Sequence, residues 1–97
     1  MPAYIIADVQ ITDPEQYAEY RKWSLEAGRV HGAEVLVRGG ATERLEGREP
    51  GRIVVLKFAS VEAARAYYDS PEYTKARAAR ENAAVMNMLI VEGVQDT

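Results

Sequence analysis

The sequence predicts an α+β domain in the order β-α-β-β-α-β, a four-stranded antiparallel sheet with its helices on one face. Three observations carry that expectation. Residues 3–11, 34–38, 52–58 and 85–92 have the length and apolar content of strands. Two helical blocks, each containing a polar capping residue followed by proline, separate the first strand from the second and the third from the fourth. Strands 3–11, 52–58 and 85–92 are apolar on both faces, so helices on one side leave the other as a large apolar patch. A second copy is the simplest cover. Two such sheets face to face would close the barrel of a dimer.

The first strand places Ala3, Ile5, Ala7, Val9 and Ile11 on one face and Tyr4, Ile6, Asp8 and Gln10 on the other. Thr12, Asp13, Pro14 and Glu15 then form a capping sequence, with Glu15 at the capping-box position and proline where its missing N–H costs nothing. The helix begins near residue 13 and runs to about Val30. Tyr17, Tyr20, Trp23, Ser24 and Ala27 share its inner face, Glu15, Glu19, Lys22, Glu26 and Arg29 its outer one, and Gly28 and Gly32 help to end it. After the strand Glu34 to Arg38, Gly39 and Gly40 make a turn or bulge that needs positive φ. Residues 41–51 read as a short extended arm and a polar loop. Ser60 caps a short helix to Asp69; Ser70 and Pro71 interrupt it and start another, with Glu72 at its positive end. On that helix Tyr73, Arg77, Arg80 and Ala84 share one stripe, beside a smooth stripe of Ala76, Ala79 and Ala83. Gly93 ends the last strand.

Ninety-seven residues make one domain, residues 1–97, with a small core, because a chain of this size buries only about 60 to 70% of its unfolded surface. With 47% hydrophobic and 28% charged residues and no long apolar run, the composition is that of a soluble globular protein, not a membrane one. The N-terminus lacks a basic region before its apolar residues and does not resemble a secretory signal, so the expected location is the cytoplasm. The absence of cysteine removes disulfides, thiolate nucleophiles and zinc-thiolate sites. A net charge of -3 argues against a general nucleic-acid binder, yet a local arginine pair can still attract an anionic small molecule. No phosphate loop, dinucleotide fingerprint or metal-ligand spacing is present, and no cofactor is expected.

Few residues are candidates for chemistry. His31 is the single histidine; at a helix end it serves either as a cap for the last carbonyls or as a catalytic acid or base. Arg38, ending a strand before two glycines, either enters a cavity as an electrophilic stabiliser or forms an ion pair with Glu46 that fixes the loop, and the ion pair is the expectation. Asp8 and Asn87 interrupt apolar strands and are expected to be hydrogen-bonded inside a dimer. If a ligand site exists, it is expected where Tyr73, Arg77 and Arg80 approach Tyr17 and Tyr20, aromatic walls with convergent cations; the structural alternative is arginines that snorkel to solvent.

Several stretches together resemble one family: Ile11 to Tyr20 (ITDPEQYAEY), Val37 to Gly40, Leu45 to Gly47, Arg52 to Phe58, Tyr68 to Tyr73 (YDSPEY) with Arg77 and Arg80, and Val91 to Gly93. In order and spacing they are similar to the family called domain of unknown function 1330, over nearly the whole chain. The resemblance implies a ferredoxin-like homodimer of the dimeric α+β barrel superfamily. Other families of that superfamily include cofactor-free monooxygenases, isomerases and cyclases that use a cavity beside the sheet. One departure is His31, Gly32 and Ala33, where the family commonly has a second glycine, a change confined to the local turn. Two functions follow as expectations: a cofactor-independent enzyme on a small aromatic or carbonyl-bearing metabolite, or a non-catalytic dimeric module that binds a ligand or acts as a scaffold.

Overall fold

The computed structural model describes residues 1–95 of the chain. The elements are β1 (Ala3–Ile11), α1 (Pro14–His31), β2 (Glu34–Arg38), β3 (Arg52–Phe58), α2 (Val61–Tyr68), α3 (Pro71–Ala79) and β4 (Ala84–Glu92). The strands stand in the order β2-β3-β1-β4, with every neighbouring pair antiparallel. The expected α+β architecture is therefore present.

Register explains the two faces. Ile5 lies between Leu56 and Ile90, Ala7 between Val54 and Met88, and Val9 between Arg52 and Met86, forming the face that the helices cover. On the other face Ile6 lies between Val55 and Leu89, and Asp8 between Ile53 and Asn87. β2 departs from simple alternation. Val35 pairs with Leu56 and Arg38 with Val54, across an irregularity between Val35 and Val37. Two residues three apart thus share the helix face, because the extra residue Leu36 absorbs the odd step in the manner of a β-bulge.

The helices begin where polar side chains satisfy their free N–H groups. Asp13, not Thr12, is the N-cap of α1: its Oδ1 accepts from Gln16 N at 3.2 Å. The capping-box expectation for Glu15 fails by one position, because Gln16 occupies the third helical residue. Its amide donates instead to the carbonyls of Ala79 and Glu81, fastening α1 to the end of α3. Gly32, at φ 71°, closes α1 by donating to Gly28 O. Ser60 caps α2, and buried Ser70 caps α3 through Tyr73 N while its own hydroxyl donates to Tyr67 O at 2.7 Å. α3 ends at Ala79, so Ala84 belongs to β4 and the expected stripe stops at Arg80.

The core lies between helices and sheet. Phe58, Tyr67, Tyr73, Tyr20 and Tyr17 make a chain of ring contacts with centroids 4.9 to 6.1 Å apart. Ala27, Ala64, Ala76 and Ala83 are fully buried, and their small side chains let the backbones approach closely. The open sheet face is less protected: Val85, Leu89 and Val91 are 64, 46 and 41% exposed. No helix among the described residues is long and apolar enough to cross a membrane.

Candidate functional site

A cavity of about 280 Å³ opens between α1 and the helix face of β1, β2 and β3. Ile5, Ala7, Val9, Val54, Leu56 and Met88 supply its apolar surface, and Tyr17, Tyr20 and Tyr67 its aromatic walls. Arg21 and Arg29 reach it from α1, Arg38 and Arg52 from the sheet. The bulge in β2 puts Arg38 on this face, and the pairing of Arg52 with Val9 does the same for the first residue of β3. Gly39 leaves room for Arg52. A Cβ at position 39 would overlap the guanidinium, with Cζ only 2.7 Å away, and the backbone there holds φ 65°.

The charge of this cavity is one-sided. Among the described residues no aspartate or glutamate lines it. Arg29 is balanced by Glu26, whose two carboxylate oxygens accept from its Nη2 at 2.6 Å and its Nε at 3.1 Å. That hydrogen bonding holds the exposed Glu26 carboxyl below its usual range. Arg21, Arg38 and Arg52 have no side-chain hydrogen bond or ion pair among the described residues, and Arg52 Nε is buried without a partner. Three uncompensated cations therefore face an apolar hollow in a chain of net charge -3.

The tyrosines divide into satisfied and free. Tyr73 OH donates to Met88 Sδ at 3.5 Å, so in the 2.7 Å contact between Tyr20 and Tyr73 the Tyr20 hydroxyl donates and Tyr73 accepts. Burial pushes the Tyr20 phenol far up and that of Tyr73 up to about 12. Neither is poised to exchange a proton near neutrality. Tyr17 and Tyr67 line the cavity with hydroxyls that have no hydrogen bond among the described residues, and burial raises the Tyr67 phenol as well. They remain available as donors to a guest.

The residues singled out from the sequence fall in different places. Tyr17, Tyr20 and Arg38 line the cavity. Tyr73 meets Tyr20 as expected, but in the sealed core at 0% exposure. Arg77 lies over the Tyr68 ring at 4.8 Å and Arg80 over Tyr20 at 5.8 Å; both border a shallow groove with Glu81 and Asn82 and do not line the cavity. His31 Nε2 is 2.8 Å from Glu72 Oε1, joining the end of α1 to the start of α3 outside the cavity. Arg38 and Glu46 form no ion pair, contrary to expectation, because Arg38 turns to the helix face; the ion pair of the 41–51 loop is Arg44 with Glu49 at 3.6 Å. Asp8 lies on the open face, with Oδ1 accepting from Gly51 N at 2.9 Å, and Asn87 is exposed directly opposite it.

Arg21 and Arg52 were not candidates from the sequence, and Tyr67 was one of several tyrosines expected to be mostly core, of which one or two could meet ligand. Arg52 opens an apolar strand, and its register with Val9 turns it inward. Among the described residues no group of three or more histidines, aspartates or glutamates gathers as a metal site.

Comparison with known proteins agrees with this geometry at the level of fold. A protein of unknown function from Rhodopseudomonas palustris is 20% identical and superposes with a TM-score of 0.77, over 98% of this chain and 84% of the other. SnoaB, a cofactor-independent oxygenase from Streptomyces nogalater, is 9% identical with a TM-score of 0.61, over 98 and 95% of the two chains. A dimeric protein of unknown function and ferredoxin-like fold from Bacteroides fragilis is 13% identical with a TM-score of 0.58, over 95 and 96%. No curated protein matches in sequence. The fold is thus ferredoxin-like, and since residues 2–94 match the family model, the chain belongs to DUF1330, the domain of unknown function 1330.

Proposed function

We propose that this protein is a homodimer that handles a small, largely apolar metabolite in the cavity between α1 and the sheet. The observation that carries the reading is the cavity itself: an apolar, aromatic-walled hollow with unpaired arginines at its mouth and free tyrosine hydroxyls in its wall. Such a lining recognises a compound with an apolar body and one oxygen-bearing group. In the enzymatic form of the reading, Arg38 and Arg52 stabilise negative charge developing on a carbonyl oxygen, Tyr17 or Tyr67 donates a hydrogen bond, and no cofactor takes part. The shared fold of a cofactor-independent oxygenase supports this form. Among the described residues no histidine or carboxylate lines the cavity, which supports the alternative, a non-catalytic binding module. His31, engaged with Glu72, is given no part in either.

The dimer covers the open face, where Ile6, Val55, Leu89 and Val91 present apolar surface and Asp8 and Asn87 lie opposite one another inside the contact. The dimeric ferredoxin-like relative from Bacteroides fragilis supports this assembly. A thermal-shift screen of small aromatic and carbonyl compounds tests the cavity. Compounds that raise the melting temperature of the wild type should lose their effect on Val35→Trp, which fills the mouth from an exposed edge strand. Undiminished effects on that variant would remove the cavity as the site.

A further inference from the structure

We infer that the cavity selects an apolar carboxylic acid, its carboxylate held at the mouth by Arg38 and Arg52 and its body against Tyr17 and the apolar strand residues. This rests on the reading of the cavity as a ligand site and adds the chemical class. Arg38 pairs with Val54 in the β2–β3 ladder, and Arg52 lies two residues back along β3 on the same face. Such diagonal neighbours stand about 7 to 8 Å apart at the backbone, within reach of one group for two long side chains. Arg21 approaches from α1 across the same cavity.

The charge pattern asks for an anion. The chain has 15 acidic residues against 12 lysines and arginines, yet none of the acidic ones among the described residues lines the cavity. Gathering like charges around an apolar hollow costs free energy in the empty protein, and an entering anion relieves it. Arg52 Nε, buried and unpartnered, gains most from such a guest.

Among anions the surroundings favour a carboxylate. The guanidinium fork matches its two oxygens in one plane. Phosphate sites commonly add backbone N–H groups at a helix N-terminus. This cavity is instead bordered by Gly28 and Arg29, near the C-terminal end of α1, where no free backbone N–H groups point outward and the dipole disfavours a doubly charged phosphate more than a singly charged carboxylate. The remaining lining is mostly aliphatic and aromatic, and at about 280 Å³ the cavity is at the small end for ligand pockets. A sugar phosphate would leave its hydroxyls poorly satisfied there.

Calorimetric titration of the dimer with benzoate, benzamide and inorganic phosphate at low ionic strength provides the test. Benzoate should bind at least tenfold tighter than its neutral isostere benzamide, and phosphate should not displace it. Arg38→Gln and Arg52→Gln, tested separately, should each abolish most of benzoate's advantage. Arg77→Gln, outside the cavity, should retain it. Benzamide binding as tightly as benzoate to the wild type would overturn the carboxylate while leaving a ligand cavity, and this comparison needs no variant to fold. Displacement of benzoate by phosphate would also overturn the class, in favour of a general anion site. Binding of neither benzoate nor benzamide to the folded dimer would overturn the inference together with the reading it rests on.

Discussion

Tyr20, Tyr67 and Tyr73 bury three phenols in one small core, and all three are held above their ordinary value of 10.0, chiefly by burial. The folded state needs them neutral. Once the pH exceeds 10 the unfolded chain releases these protons first, so folding stability is fully present below pH 10 and falls as pH rises through the value of about 12 for Tyr73. Denaturant melts across that range, with tyrosinate absorbance followed in parallel, should show ionisation of these phenols coinciding with unfolding. Free titration of all six tyrosines in a still-folded protein would refute the sealed-core assignment. At this scale the sequence was a partial guide. That Tyr20 lies on the inner face of α1 follows from helical spacing, whereas its contact with Tyr73 of α3, and which tyrosine faces a cavity, depend on packing that spacing does not encode. Arg77 and Arg80 looked like a binding pair because they follow a tyrosine on one stripe; each instead lies over an aromatic ring, a contact worth about 0.5 to 1 kcal/mol at exposed sites.

The strands and caps were legible because their signals are local. Alternation, proline after a polar cap, and glycine at a helix end each act over a few residues. The bulge in β2 was not, since Val35, Leu36 and Val37 are an unbroken apolar run that fixes no face, and the extra residue shows only against β3. With the bulge went the direction of Arg38, and so the expected pairing with Glu46. The turn after β2 offers a test of how this element serves the cavity. Gly39→Ala places a Cβ against the Arg52 guanidinium in a left-handed backbone, whose strain alone costs roughly 1 to 2 kcal/mol. It should lower the melting temperature and weaken benzoate binding together. Gly40→Ala, with open space around it and no positive φ, should do neither, and equal effects at the two positions would show that Arg52 does not depend on the turn.

For the whole molecule, the two faces of the sheet divide the work. One carries the helices and the cavity; the other leaves Ile6, Val55, Leu89 and Val91 for the second copy that we propose. The two apolar faces of the sheet were readable from the sequence, because β1, β3 and β4 carry apolar residues on both sides, and the proposed second copy rests on them. Leu89→Asp puts a charge in the middle of the proposed contact and should yield monomers, with lowered stability, by light scattering at micromolar concentration. A variant dimer as tight as the wild type would move the interface elsewhere. Which residues line the cavity was not readable, since they come from α1, α2 and all four strands, which only packing and register bring together.

Amide chemical-shift mapping during a benzoate titration of the isotope-labelled protein tests the ligand cavity most directly. The perturbed residues should cluster at Tyr17, Arg21, Val35, Arg38, Arg52 and Val54, on α1 and the β2–β3 end of the helix face. Perturbations centred instead on Arg77, Arg80 and Asn82, at the groove beside the end of α3, would contradict it and return the site to the stripe that the sequence first suggested.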